Sequence, residues 1–244
     1  MKSIKSVFKI GNGPSSSHTM GPAKAAQKVK ALYPNKLYKV VLYNSLALTG
    51  EGHLTLMVIK EILKNVTFEK QIDLSVHPNQ LVFEVYDHET LIKKIPVQSI
   101  GGGEIIFDGN QTVYEPIYHE TTFDEIKAFI FENKLSLMDY IKKYEAKDTF
   151  TYLEEVFSQM CHTIEEGLTT KGVLPGELMV QRKANALYNN ALSLKDGSLK
   201  DRTLLSAYAF ATGEQNASGG LMVTAPTCGA SGVLPAVLYF VYKI

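Results

Sequence analysis

Three stretches of this chain carry residue types that could do chemistry at close range. The first is Gly11-Asn-Gly-Pro-Ser-Ser-Ser-His-Thr-Met-Gly-Pro22. Ser15, Ser16, Ser17 and Thr19 supply hydroxyls, and His18 titrates near neutral pH, so it could pass a proton. Backbone N–H groups at a helix start, with hydroxyls beside them, would seat a carboxylate or a phosphate. The same residue types also serve simply to cap a helix, and both readings stand at this level.

The second stretch, Asn44-Ser-Leu-Ala-Leu-Thr-Gly-Glu-Gly-His-Leu-Thr55, repeats the layout: strand, glycine-rich turn, histidine at a helix start. Two such junctions after two strands of one sheet could open on a common crevice, with His53 facing His18. The plainer alternative is that His53 caps its helix. The third stretch, Glu214 to Gly232, is dense in small residues, which lets backbone approach a ligand or another helix closely. Asn216, Thr224, Thr227 and Ser231 offer side-chain hydrogen bonds there. Cys228 could ligate a metal or could be a small buried residue; a cluster usually needs three or four thiolates. Cys161 falls on the apolar stripe of a predicted helix and reads as core. No HExxH, CxxC or Walker pattern occurs.

The elements that must position these residues change character along the chain. Up to about residue 118 the periodicity is mixed α/β. Strands are expected at Ser3–Ile10, Leu37–Tyr43, Leu81–Tyr86 and Leu91–Val97, with shorter pieces at Glu104–Phe107 and Thr112–Ile117. Helices are expected at Ala23–Leu32 and Leu54–Leu63. Residues 119–148 read as a helical linker, with Phe123–Glu132 and Ser136–Tyr144 as short helices. From residue 149 to 244 the chain reads as helical. Phe150, Leu153, Phe157, Met160, Cys161 and Ile164 share one stripe, Gly167 is placed to end that helix, and helices follow over Leu178–Leu192 and Thr203–Thr212. The fold class expected is an α+β N-terminal domain followed by a partial all-α domain. Ser231–Ile244 reads as a proline-started apolar helix without a polar finish. A helix apolar on nearly every face is normally buried, so the expectation is a fragment or a truncated product.

Composition narrows the function. The 244 residues hold 25 Lys plus Arg and 25 Asp plus Glu, so the chain has no general pull on nucleic acid or an anionic membrane. The apolar runs are too short for a membrane span, and the first residues lack a signal-peptide core. Two cysteines make no disulfide framework and suit a cytoplasmic protein.

Taken together, four motifs become recognisable in order. Ile10–Pro22 is similar to the N-terminal signature of iron–sulfur-dependent L-serine dehydratases (L-serine ammonia-lyases), and Ser45–Thr55 resembles their second motif. Leu174-Pro-Gly-Glu-Leu178 with Arg182-Lys-Ala184 resembles the start of their helical domain. Asn216–Gly220 and Val223–Val237 resemble its glycine-rich core. The resemblance implies a first domain like substrate-binding regulatory domains and a helical catalytic domain. It implies a [4Fe–4S] cluster, no pyridoxal phosphate, and L-serine as substrate, converted to pyruvate and ammonia. By the same resemblance His18 and His53 carry the acid/base work, while Ser15, Ser16, Ser17, Thr19, Asn216, Thr224 and Thr227 hold substrate. Glu51 stands where the family usually has a basic residue and Leu56 where it has an aspartate. The cluster cysteines are expected downstream of this chain, Cys228 being a weak candidate, so the chain alone should hold no intact cluster and should be inactive. A homodimer, or completion by a C-terminal catalytic segment, is implied. The alternative is a regulatory module that binds a small amino or hydroxy acid without catalysis.

Overall fold

In the computed structural model, which describes residues 1–243, the chain opens with a tight turn at Ile4–Ser6 and a short strand β1 (Ile10–Asn12). One wide helical turn, Ser16–Met20, leads into α1 (Gly21–Leu32), where Pro22 sits at the first turn because its missing N–H is not needed there. Strand β2 (Leu37–Tyr43), two helices α2 (Asn44–Thr49) and α3 (Thr55–Leu63), and strand β3 (Val66–Gln71) follow. Strands β4 (Gln80–Asp87), β5 (Thr90–Gly101), β6 (Glu104–Phe107) and β7 (Asn110–Gln111) complete this half.

Among the described residues these strands form a six-stranded mixed sheet in the order β3-β2-β4-β5-β6-β7. Only β2 and β3 run parallel; the other neighbours are antiparallel. The period-2 alternation puts Val40, Leu42, Leu81, Phe83, Val85, Ile95 and Val97 on one face, packed against Ala25, Ala26 and Val29 of α1 and Ile59 and Leu63 of α3. The opposite face carries charge pairs, Lys39 with Glu69 and Lys94 with Glu84.

The second half is helical. Helices α4 (Phe123–Glu132) and α5 (Leu137–Tyr144) each begin with a capping box, Thr122 with Glu125 and Ser136 with Asp139. Helix α6 (Lys147–Thr169) then packs with α7 (Ala184–Ser193) and α8 (Ser198–Ala217). Strand β8 (Leu221–Val223) and α9 (Val233–Lys243) end the described chain. The expected helix over Ser231–Ile244 is thus present, its last residue, Ile244, lying outside the described residues. Val237, Val241 and Tyr242 stay exposed on it.

Several local expectations differ from the structure. Ser3–Ile10 is a strand only at its last residue, because the Ser3 hydroxyl and the Ile4 amide are drawn onto the Glu145 carboxylate. Strand β3 carries no buried side chain, so its apolar signal is weak. Thr112–Ile117 joins no strand, and the helix expected from Leu178 begins only at Ala184. Gly167 does not end α6; it lies inside the helix where α8 crosses, and a Cβ there would sit 2.5 Å from the Ala211 carbonyl. No helix among the described residues is long and apolar enough to cross a membrane.

Candidate functional site

The serine-rich loop is shaped by its own side chains. Ser15 accepts a hydrogen bond from the His18 amide at 3.0 Å, and its carbonyl accepts from the amides of Thr19 and Met20. That closes the wide turn and points the His18 ring away from α1, toward α2. The Ser17 hydroxyl lies 2.9 Å from His18 Nδ1, and the Ser45 hydroxyl, at the start of α2, lies 2.8 Å from Nε2. Both ring nitrogens are thereby engaged by hydroxyls. Burial, and secondly the charge His53 can carry, hold the His18 imidazole below its ordinary range.

The second loop brings His53 to the same place. The two imidazole centroids are 4.7 Å apart, with the rings inclined at 36°. Reciprocal bonds lock the two junctions: Thr19 Oγ1 donates to the His53 carbonyl at 2.6 Å, and Thr55 Oγ1 donates to the His18 carbonyl. Between them Leu54 takes a left-handed φ of 57°, a conformation that costs a side-chain-bearing residue about 1 kcal/mol and that surrounding bonds must hold. His53 Nδ1 lies 3.0 Å from the Thr49 carbonyl, which can only accept. Nδ1 therefore carries the proton of the neutral ring, and Nε2 carries the lone pair.

The third stretch packs directly on the first. The Gly13 amide donates to the Gly220 carbonyl and the Asn12 side chain donates to the Gly219 carbonyl. Asn216 Nδ2 reaches the Pro14 carbonyl at 3.4 Å, while its Oδ1 is buried without a hydrogen-bond partner among the described residues. A Cβ on Gly13 would sit 2.3 Å from that oxygen, so glycine is required. Strand β1 pairs antiparallel with β8, and Thr224 exchanges two bonds with Lys9: its hydroxyl accepts from the Lys9 amide, and its own amide donates to the Lys9 carbonyl. The serine loop is therefore carried by the helical half as much as by the sheet.

Ser15, Ser16, Ser17, His18, Thr19 and His53 are thus brought together, with Asn216 against the same loop. The Thr19 hydroxyl latches the two loops, and the Thr224 hydroxyl, fully buried, stitches β1 to β8. Thr227 lies exposed at a turn, its hydroxyl capping the Ala230 amide. Ser45, Thr49 and Thr55 complete this arrangement, beyond the candidates the sequence points to. Their role depends on the distance between two loops, and sequence spacing carries no signal of it.

Cys228 is buried against Met20 and Met222, and burial pushes its thiol up to about 11. Cys161 lies half-buried against the separate α6–α8–α9 core. No group of three or more His, Cys, Asp and Glu side chains that could hold a metal occurs among the described residues. A [4Fe–4S] cluster needs gathered thiolates, and the residues of this chain do not fit one.

Two families match the sequence: serine dehydratase beta chain over residues 3–63 and serine dehydratase alpha chain over residues 53–244. L-serine dehydratase 2 of Escherichia coli is 31% identical over 303 aligned positions, covering 100% of this chain and 66% of the relative. L-serine dehydratase of Haemophilus influenzae is 30% identical, covering 100% and 67%. That of Helicobacter pylori strain 26695 is 29% identical, covering 98% and 65%. The chain spans about two-thirds of the length of the curated relatives it matches. Because the alignment to the Escherichia coli protein exceeds the 244 residues here, that relative also carries residues within the matched span that this chain lacks. With the alpha chain family matching most of its length, and these relatives matching all or nearly all of it, the chain belongs to the serine dehydratase family.

Proposed function

We propose that this chain binds L-serine at the paired histidines and supplies the proton-handling part of an L-serine ammonia-lyase. The observation that carries this reading is the contact of His53 Nδ1 with the Thr49 carbonyl. With Nδ1–H committed to the Thr49 carbonyl, Nε2 presents its lone pair as a base, on a ring whose centroid lies 4.7 Å from that of His18, itself an imidazole whose pKa is lowered by burial. Ser15, Ser16 and Ser17 line the turn that seats the substrate carboxylate, and His53 takes the α-proton. Ser45 and Ser17 engage both nitrogens of the His18 ring and fix it beside His53.

The overall reaction is balanced without an added reductant or oxidant. The α-proton and the β-hydroxyl leave serine as water. The resulting aminoacrylate takes up water and releases ammonia to give pyruvate. The family implies an iron–sulfur cluster as Lewis acid toward the hydroxyl, but Cys161 and Cys228 do not supply its ligand set. We place that chemistry in the third of the relatives' length that this chain does not span, supplied by a further polypeptide segment. We divide the chain accordingly into residues 1–118, a linker 119–148, and residues 149–244.

Calorimetric titration with L-serine tests the reading. Heat of binding is expected for the 244-residue chain, and its loss in His18→Ala. No pyruvate is expected from the chain alone, even after anaerobic treatment with iron and sulfide. Pyruvate together with a visible charge-transfer band would overturn that division of labour. If serine binds yet His53→Ala leaves turnover of a completed enzyme unchanged, the site is regulatory.

A further inference from the structure

A pocket that shares no residue with the paired-histidine site opens on the helical half. It holds about 270 Å³, close to the lower end for small-molecule sites. Leu174, Val180 and Phe210 give it apolar walls, and Lys183, Gly213 and Glu214 also line it.

Two features of this pocket have no explanation within the chain's own packing. Glu214 is only 4% exposed. Its Oε1 accepts from the amides of Lys183 and Ala184, capping α7, but its Oε2 is buried with no hydrogen-bond partner among the described residues. A buried carboxylate oxygen left unpaired is destabilising unless something answers it. Gly213 lies inside α8, where alanine would favour the helix. Nothing lies within 4 Å of where its Cβ would be, so neither packing nor backbone geometry demands glycine. Its effect is to keep the pocket open. Close by, the Lys183 ammonium rests 5.6 Å over the Phe210 ring and makes no ion pair among the described residues.

We propose that this pocket binds a neutral α-amino acid with an apolar side chain, as its zwitterion. The ammonium group donates to Glu214 Oε2, the carboxylate pairs with the Lys183 ammonium, and the side chain fills the space beside Gly213 against Leu174, Val180 and Phe210. A simple anion would meet the Glu214 carboxylate, and a simple amine would leave Lys183 unanswered; the zwitterion satisfies both.

The test is calorimetric titration of L-leucine into the 244-residue chain near neutral pH. Saturable binding is expected in the wild type. It should weaken at least tenfold in Glu214→Gln, whose amide oxygen can still cap α7, and vanish in Gly213→Leu, which fills the pocket with a strong helix former and retains a wild-type melt. n-Butylammonium should bind at least tenfold more weakly than leucine, since it lacks the carboxylate. His53→Ala should leave leucine binding unchanged while serine binding is lost, so this site and the serine site fail independently. The proposal is overturned if leucine does not bind, if it binds Gly213→Leu as well as wild type, or if n-butylammonium binds as tightly as leucine.

Discussion

At the scale of single residues, the proposed chemistry rests on which nitrogen of each imidazole carries a proton. The Thr49 carbonyl assigns that proton to Nδ1 of His53. Long-range ¹⁵N correlation spectra at pH 8 should therefore show His53 as the Nδ1–H tautomer; a dominant Nε2–H form would remove the base from the proposed mechanism. His18 behaves differently, because burial and the neighbouring imidazole depress its pKa. Between its depressed folded value and its ordinary value the unfolded chain binds more protons than the folded one. Stability is then fully present above the unfolded pKa and is lost as pH falls through the folded pKa. Urea midpoints measured between pH 8 and 5 should fall for the wild type and fall less for His18→Gln. Equal slopes would show that His18 is not the group responsible. Ser45→Ala should reduce serine affinity about tenfold by freeing the ring, in line with the loss of one hydrogen bond of roughly 1.4 kcal/mol, read as a change in Kd.

Among the elements, glycines mark where two segments must touch. Gly167 lets α6 lie against the Ala211 carbonyl of α8. Gly167→Ala should destabilise the chain by about 2 kcal/mol and lower Tm by roughly 5 °C, as overpacking at a helix crossing does. An unchanged Tm would mean that the helices separate freely. Gly13 plays the corresponding part at the site, since its neighbours are the Asn216 carbonyl and side-chain oxygen. Gly13→Ala should abolish serine binding while shifting Tm much less, because it displaces the serine loop and leaves both hydrophobic cores intact. Retained serine affinity in that variant would detach the Asn216 segment from the site.

Across the molecule, the N-terminal segment, the linker and α6 are clasped by one carboxylate. Glu145 is buried and accepts hydrogen bonds from the Ser3 hydroxyl, the Ile4 amide, the Tyr118 hydroxyl and the Thr149 hydroxyl. Burial alone would raise its pKa, but these donors hold the carboxyl below its ordinary range. Its contribution is therefore present above the unfolded carboxylate pKa and disappears as pH falls through the lower folded value. Glu145→Ala should lower stability by about 3 kcal/mol at pH 7, the order of magnitude for losing several bonds to one buried charge, and should flatten the acid limb of the stability curve. The helical half carries a different liability. Val233, Val237, Val241 and Tyr242 of α9 remain exposed together, which is the kind of surface that draws a partner or self-associates.

How much of this was readable from one dimension follows from the range of the interactions involved. Strands β2, β4, β5 and β6 and helices α1, α3, α4 and α5 rest on neighbours two to four positions apart, so alternation and stripes announce them. The serine–histidine loop was legible for the same reason, as hydroxyls and a histidine beside a helix start. Other features depend on contacts between residues far apart in the chain. Pairing of β1 with β8, the pull of Glu145 on Ser3 and Ile4, the Ser45 contact to His18 and the crossing at Gly167 each join such distant positions. No local preference encodes those distances. They were settled when the sheet and the helices packed, and that packing set the two imidazoles side by side.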